Sequence, residues 1–320
     1  MVSIPQTAPK INPNRRFFLR RAAAERARHK AADEAAAEIL CAMCRGGHME
    51  RSQAKEGKIE LTASCDGLLK VDNDGLKAVN GFGQMMIATR HGNFPVKKGD
   101  KLAGTRIIPL VIEEEKMAAA KEAAFRASKG RPILELKPFV HKKVGIVTTG
   151  NEVFHGRIKD TFTPVIKEKI SEFDTEVIDH VTWDDDDAKV TASILDMVKK
   201  GADVVICTGG MSVDPDDKTP LAIRNTGARV VSYGAPVLPG AMFLLAYLDV
   251  ADGDERRTAA IMGLPGCVMY AKRTIFDLVL PRIMADDAVT PQDLAALGQG
   301  GLCLNCPVCT FPNCGFGKGM

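Results

Sequence analysis

The sequence lacks three features that would fix the class of a protein at once. Among its 320 residues, no apolar run approaches the roughly 18 residues that a membrane helix needs, so we expect a soluble chain with no membrane partner. The 43 Lys and Arg nearly balance the 40 Asp and Glu, and a formal charge of +3 is too small to make the whole chain a polyelectrolyte partner of nucleic acid. There is also no internal repeat, which argues against repeat architectures.

The small net charge is unevenly distributed. Residues 15–30 hold seven basic side chains and one acid. Since only Phe17 and Phe18 could stack on bases there, a solvated helical face is favoured over a nucleic-acid contact. A regulatory protein whose basic segment contacts nucleic acid or an acidic partner stays open as an alternative.

The segment near the N-terminus resembles an export signal only in part. Arg15-Arg16-Phe17-Phe18 is similar to a twin-arginine signal, but Arg, Ala, Glu and Lys follow it instead of an apolar segment. We therefore expect a cytoplasmic location. In a reducing compartment, clustered cysteines bind metal or do redox chemistry more often than they form disulfides.

Composition divides the chain into four predicted parts, and 45% hydrophobic residues can fill a core. These are a basic helical segment (1–50), a β-rich module with a connecting helix (51–138), an α/β domain (139–290) and a Cys-rich tail (291–320). In the β-rich module, short β-like runs are interrupted by turn signals such as Asp-Asn-Asp-Gly at 72–75.

The α/β domain shows the clearest pattern, in which apolar β-branched runs alternate with helical patterns. The predicted strands are 144–149, 176–181, 203–208, 229–233 and 259–262, and the predicted helices are 162–173, 187–200, 218–226 and 267–284. Such a series predicts a mostly parallel sheet covered on both faces, a three-layer αβα domain. Runs that are apolar at successive positions fit strands buried on both sides.

Three loops follow strands of this predicted sheet, at 148–153, 208–220 and 263–266. Ligands of parallel sheets bind beyond the carboxyl ends of the strands. Glycines there let backbone amides approach a ligand, and Thr149, Thr208 and Ser212 can add hydroxyl donors. Together the loops predict a site for a phosphorylated ligand.

Acidic residues lie in the same loops: Glu152, Asp160, Asp214, Asp216 and Asp217. Their carboxylates are suitable ligands for Mg²⁺ bound against a phosphate. Capping of the helix predicted to begin near residue 218 is an equally good explanation for the last two.

At these residues a family resemblance becomes visible. The segments KVGIVTTGNEV, VVICTGGMSVDPDDKTP and MGLPGCVMY, in that order, resemble the molybdopterin-binding domain of molybdopterin adenylyltransferases, molybdopterin molybdenumtransferases and gephyrin, and the chain looks nearest to clostridial-type molybdopterin-binding proteins. The resemblance implies molybdopterin, often adenylated, or the molybdenum cofactor as ligand, with Mg²⁺. The ligand site that it implies comprises Thr149, Gly150, Asn151, Glu152, Asp160, Thr208, Gly209, Gly210, Ser212, Asp217, Pro239, Gly240, Pro265 and Gly266. Glu152 and Asp217 would be its catalytic and Mg²⁺-binding residues.

One departure from the family pattern bears on activity. The transferase motif usually reads Thr-Gly-Asp-Glu, whereas position 151 is Asn, which removes a negative ligand and an acid–base group. We therefore expect a protein that binds the cofactor and acts in its biosynthesis or delivery. An active, transferase-like molybdenumtransferase is the first alternative. A molybdoenzyme or a cofactor-assembly protein is the expected partner, and a homo-oligomer is compatible with the sequence.

The tail carries a second predicted site. Cys303, Cys306, Cys309 and Cys314 lie within twelve residues, and four thiolates can bind one Zn²⁺ or one iron–sulfur cluster. The spacing of these cysteines does not distinguish a zinc site from an iron–sulfur site. Histidines, by contrast, show no metal-ligand spacing and are interpreted as surface or core residues, although His155 follows the first loop closely enough to reach a ligand.

Overall fold

The computed structural model describes residues 34–211, 217–252 and 255–319. The chain forms two compact units: the first holds most residues up to Leu136, and the second holds Asp66–Leu68, Asn93–Val96 and the chain from Lys137 onward. None of the helices within the described ranges has the length and apolar character that crossing a bilayer requires.

The first unit is built around an antiparallel sheet. Residues 34–44 are helical (α1), and the elements that follow along the chain are β1 (Met49–Arg51), β2 (Lys58–Ala63), β3 (Gly67–Val71), α2 (Asn73–Asn80), β4 (Met85–Thr89), β5 (Phe94–Val96), β6 (Lys101–Ile107), α3 (Glu114–Ala127) and β7 (Leu134–Pro138). Of these, β5 belongs wholly to the second unit, and β3 and β7 are divided between the two units. The sheet has the order β1-β2-β6-β4, with every pair antiparallel. The chain passes between the units in or beside β3, β5 and β7.

One feature of this region goes beyond the expectation. The Asp-Asn-Asp-Gly segment does not merely interrupt β-like runs, because it begins α2. The Asp72 carboxylate accepts a hydrogen bond from the Gly75 amide at 2.8 Å and caps the helix. Asp, Asn and Gly favour helix N-termini as well as turns, which is why composition alone did not separate the two.

The second unit contains the predicted α/β architecture. Its elements are β8 (Lys142–Thr149), α4 (Asn151–Phe154), α5 (Phe162–Ile170), β9 (Thr175–Trp183), α6 (Asp187–Lys199), β10 (Val204–Thr208), α7 (Thr219–Asn225), β11 (Arg229–Tyr233), β12 (Leu244–Asp252), β13 (Glu255–Leu264), a 3₁₀ turn (Gly266–Met269), α8 (Ile275–Met284) and α9 (Pro291–Ala296). The sheet order is β11-β12-β13-β10-β8-β9. The four strands from β13 to β9 are parallel, which confirms the predicted fold class.

The sheet is buried on both faces, as its apolar runs predicted. Along β10, Ile206 packs into the cluster that includes α5 and α8, while Val205 and Cys207 pack into the cluster that includes α6 and α7. Successive side chains of a strand point to opposite faces, so a central strand between two helical layers must be apolar throughout.

Two elements of this unit differ from expectation. β12 was not predicted; it pairs antiparallel with β13 and with β11 and so ends the parallel series. The predicted helix 267–284 is instead a 3₁₀ turn followed by α8. A capping box formed by Thr274 and Asp277 begins α8, with the Thr274 amide donating to the Asp277 carboxylate at 2.7 Å. The Thr-x-x-Asp spacing signals that start in the sequence.

Candidate functional site

The most favourable ligand position in this sheet lies between β8 and β10. These strands are neighbours, but the chain leaving β8 continues through α5 to β9 on one side, and the chain leaving β10 continues through α7 toward β11 on the other. Connections that diverge from adjacent parallel strands open a crevice beyond their carboxyl ends, where ligands bind.

The loops singled out from the sequence all lie at this edge. Thr208 is in register with Thr148 of β8 and with Leu264 of β13, so the loops after these strands begin at the same level. The Pro239-Gly240 pair lies there too, because it precedes β12, whose first residue is opposite Gly263.

Two of these loops are packed directly against each other. A Cβ atom on Gly209 would lie 2.0 Å from the Thr149 carbonyl oxygen, and Gly209 has a φ of +85°. The Thr149 hydroxyl donates to the Thr208 carbonyl at 3.3 Å and lies 3.1 Å from the Thr219 hydroxyl, which itself donates to the Gly209 carbonyl at 2.9 Å. Gly210 continues this contact, with its Cβ position 2.9 Å from the Thr219 hydroxyl. We call this buried contact of 149 with 208–210 and 219 the loop junction.

A chain of polar side chains continues from the junction into the protein. The Thr208 hydroxyl donates to that of Thr148 at 3.3 Å, and the Thr148 and Thr163 hydroxyls lie 3.3 and 3.0 Å from His180 Nε2. Burial lowers the pKa of His180, against an opposing effect of the Asp160 carboxylate. The sequence predicts only a surface or core histidine at His180, because its spacing to these threonines in the chain gives no signal.

Asp160 is held at the start of α5. Its carboxylate accepts hydrogen bonds from the Phe162 and Thr163 amides at 2.9 and 3.1 Å and from the Thr163 hydroxyl at 2.5 Å. These bonds give Asp160 a role in capping α5. A contact between Asp160 and a ligand stays a prediction.

The rest of the edge is open. Gly150, Asn151 and Glu152 form the start of α4, where the Asn and Glu side chains are exposed. Cβ atoms placed on Gly150 or on the exposed Gly266 would meet no atom of the described residues within 4 Å. We call 150–152 and 265–266 the open loops, and they leave room for a ligand at the backbone.

The Pro239-Gly240 pair closes the edge on the side of α8. Gly240 is buried with a φ of +130°, and a Cβ atom there would lie 2.4 Å from Ile275 Cγ2. The Ile275 amide donates to the Pro239 carbonyl at 3.3 Å. This glycine is therefore required for packing against α8, while Pro239 stays partly exposed.

The predicted metal ligands are only partly described. Ser212, Asp214 and Asp216 lie outside the described residues, whereas Asp217 is half-buried just before α7. In the described ranges, no three His, Cys, Asp or Glu side chains converge as a metal site. Mg²⁺ at Glu152 and Asp217 therefore stays a prediction.

Two sets of neighbouring cysteines differ in exposure. Cys41 and Cys44 are buried, and burial raises the pKa of Cys44 to about 12. In the tail, Cys303 and Cys314 are partly exposed and Cys306 and Cys309 exposed, all as free thiols. Metal binding by the tail is not confirmed and stays a prediction.

Comparison with known proteins finds similarity over the α/β part of the chain. Residues 145–285 match the family model described as a probable molybdopterin binding domain. The chain is 38% identical over 81 residues to a CinA-like protein of Syntrophus aciditrophicus, a match that covers 25% of this chain and 19% of that protein. The chain thus spans about a fifth of the length of such curated relatives.

Two further similarities span most of the matched proteins. A molybdopterin adenylyltransferase of Pyrococcus furiosus is 26% identical over 137 residues, covering 41% of this chain and 80% of that protein. The crystal structure of a tungsten cofactor synthesizing protein, MoaB, from the same organism shares 23% identity, 40% of this chain and 84% of that one, at a TM-score of 0.34. Residues 145–285 of this chain are thus similar to the probable molybdopterin binding domain that the family model describes.

Proposed function

We propose that the chain binds molybdopterin or the molybdenum cofactor at the β8/β10 edge and acts in the biosynthesis or delivery of that cofactor. One observation carries the proposal: the region that matches the molybdopterin-binding family contains the crevice between diverging parallel strands, with glycines at its open loops. The name of one relative, the molybdopterin adenylyltransferase of Pyrococcus furiosus, supports the same role.

The open loops suit the phosphate of such a ligand. The space beside Gly150 and Gly266 is free of described atoms, so a ligand can approach the backbone where α4 and the 3₁₀ turn begin, although the Gly150 amide itself donates to the Trp183 carbonyl at 3.1 Å. Amides at such positions stabilise phosphate oxygens without a cationic side chain. When bound, the cofactor supplies the dithiolene that carries molybdenum. The loop junction would hold the edge in shape, and Ser212 would add a hydroxyl.

Residue 151 bears on whether the chain also catalyses a reaction on the bound ligand. An active molybdenumtransferase would need Mg²⁺ on Glu152 and Asp217 and would hydrolyse an adenylated ligand. Asn151 lies exposed beside Glu152 and supplies an amide where an acid would add a negative ligand. This favours binding over turnover.

The test combines binding and turnover in one sample. The full chain, purified anaerobically, is mixed with adenylated molybdopterin, molybdate and Mg²⁺, and both bound pterin and released AMP are measured. The proposal predicts bound pterin without AMP release. AMP release at catalytic rates would establish the transferase instead, and absence of bound pterin would refute the proposal.

Asn151→Asp tests whether residue 151 limits metal binding. The exposed position accepts the change without repacking, and the added carboxylate should tighten Mg²⁺ binding in the presence of the adenylated ligand. Gln292→Glu, which adds the same charge at an exposed position outside the proposed site, serves as the charge control. An unchanged Mg²⁺ affinity in Asn151→Asp would show that the amide is not the cause.

Delivery requires a recipient, which we propose to be a molybdoenzyme or another cofactor-assembly protein. The alternative of a cofactor-sensing regulator depends on the basic residues 15–30, which lie outside the described residues. No contact of the described residues favours that alternative.

A further inference from the structure

The C-terminal tail forms one wall of a cavity of about 520 Å³ in the second unit. The other wall comes from Pro239, from Cys267 in the 3₁₀ turn and from residues 270–273 after that turn. Cavities that bury a small ligand span roughly 300–1,000 Å³, so this one has the size of a ligand site. The tail lies outside residues 145–285, the part that matches the family model, so the family resemblance does not account for this wall.

Hydrogen bonds hold the tail at this position. The Leu238 amide donates to the Gly301 carbonyl, and the Cys303 amide donates to the Leu238 carbonyl, both at 2.8 Å. The Lys272 ammonium donates to the Pro307 carbonyl at 2.9 Å. The wall is therefore formed by folded chain, which lowers the cost of ordering it when a ligand binds.

The cavity adjoins the β8/β10 edge at two points. In the pairs Pro239-Gly240 and Gly266-Cys267, the glycine belongs to the edge and the other residue lines the cavity. The Thr161 hydroxyl, at the start of α5, donates to Met269 Sδ of the 3₁₀ turn at 3.0 Å. A ligand whose phosphate lies at the open loops can therefore extend along this turn into the cavity.

The cavity wall is largely apolar and contains aromatic rings. The exposed fractions of Tyr270 and Leu304 are 84% and 79%, and large apolar side chains exposed together at a cavity mark a binding surface. Phe311 is fixed in the wall, because it packs edge-on against Phe94 with ring centroids 5.6 Å apart and Arg273 lies 5.1 Å from its ring centre. A planar ring can stack on aromatic side chains of this kind.

Among the described residues, the wall carries one positive charge without a carboxylate partner, that of Lys272. Arg273, by contrast, is paired with Glu172 and Asp277 at 3.0 and 2.9 Å. No Asp or Glu is present among the described residues that line the cavity, and burial raises the pKa of the Cys267 thiol, which keeps it neutral. The charge of the wall therefore favours an anionic ligand.

We propose that this cavity binds the planar pterin ring of the ligand whose phosphate lies at the open loops, with Tyr270 stacked on the ring and Lys272 offsetting the negative charge of the ligand. This rests on the proposed function and extends it, because it makes the C-terminal tail part of the ligand site. It also adds two residues that determine affinity and that the sequence motifs did not single out.

Two variants test the ring site against matched controls. The full chain is titrated anaerobically with molybdopterin, followed by pterin fluorescence, and compared with Tyr270→Ala and Lys272→Gln. Both side chains are exposed, so circular dichroism should be unaltered, and each change should weaken binding about fivefold or more. Phe125→Ala and Lys121→Gln change an exposed ring and an exposed cation of the first unit and should leave the affinity unchanged.

The outcomes separate this inference from the proposed function. Wild-type affinity in either Tyr270→Ala or Lys272→Gln would overturn the ring site and leave the proposed function intact, because the open loops would still bind the ligand. Absence of molybdopterin binding in the wild-type chain would refute the proposed function.

Thiol protection gives a readout at the cavity itself. The probe is carboxypterin, a planar anionic ring without phosphate or dithiolene, and alkylation of each cysteine by iodoacetamide is followed by peptide mass spectrometry. We expect saturating probe to slow alkylation of Cys306 and Cys309, exposed thiols of the wall, severalfold, and to leave Cys65 of the first unit unchanged. Protection by the probe in a chain that does not bind molybdopterin would retain the ring site without the proposed function. Equal alkylation rates with and without the probe would overturn the ring site.

Discussion

The loop junction and the open loops lie at the same sheet edge and use the same residue types for different purposes. At the junction, Gly209 has no side chain because the Thr149 carbonyl occupies that space, and the Thr149 hydroxyl is already bonded within the protein. At the open loops, Gly150 and Gly266 face space free of described atoms. A glycine-rich motif at a strand end therefore contains both residues that hold the edge together and residues that leave room for a ligand.

The largest expected effect is on the junction. Gly209→Ala would place a methyl group 2.0 Å from the Thr149 carbonyl at a φ of +85°, so we expect the free energy of unfolding to fall by about 2–5 kcal/mol in urea titrations. Gly227→Ala shares a positive φ of +79° but meets no described atom within 4 Å, and it should cost only about 1–2 kcal/mol. Equal losses in the two variants would show that the loops are not packed as described.

A smaller effect is expected when one hydroxyl of the junction is removed. Thr149→Val keeps the side-chain shape but loses the hydrogen bonds to Thr208 and Thr219, which should cost about 1–2 kcal/mol of unfolding free energy. Thr182→Val, on the partly exposed neighbouring strand β9, is the control and should change stability little. If Thr149→Val were as stable as the wild type, the Thr149 hydroxyl would not stabilise the loop junction.

The smallest expected effect is a pH dependence of stability that comes from His180, at the inner end of the polar chain that leads from the loop junction. Burial and Lys167 lower the pKa of His180 in the folded chain, against Asp160 and Asp179, so the unfolded chain takes up the proton first as pH falls. The unfolding free energy should therefore decrease from about pH 6.5 downward, until the lowered folded pKa is passed.

Comparison of histidine variants isolates this contribution. His180→Gln should flatten the slope of unfolding free energy against pH in that window, whereas His155→Gln, at an exposed position, should leave it unchanged. An unaltered slope in His180→Gln would mean that His180 titrates alike in the folded and unfolded chains.

Much of this fold could be predicted from local pattern. Residues 204–207 are apolar at every position because both faces of β10 are covered, and the alternation with helices predicts parallel pairing. β12 was missed because it follows β11 and precedes β13 without a helix, which breaks that alternation. The start of α8 was missed although the Thr274–Asp277 capping box is visible in the sequence.

The location of the site could be predicted from the sequence. Which of its residues pack against each other, and which leave room for a ligand, could not. Strand ends and glycines point to the edge, whereas the contact between Gly209 and Thr149 joins residues 60 positions apart and depends on the pairing of β8 with β10. The link from Thr148 to His180 likewise crosses from β8 to β9. Such contacts follow from tertiary structure, which residue spacing does not encode.

The most direct test of the central claim is an anaerobic titration of the full chain with molybdopterin, followed by pterin fluorescence. Gly266→Ala adds a methyl group to an open loop without meeting a described atom, and Gly47→Ala does the same at an exposed glycine of the first unit. We predict saturable binding that Gly266→Ala weakens by about tenfold or more and Gly47→Ala leaves unchanged. Absence of saturable binding, or equal affinity in all three proteins, would contradict a cofactor site at the β8/β10 edge.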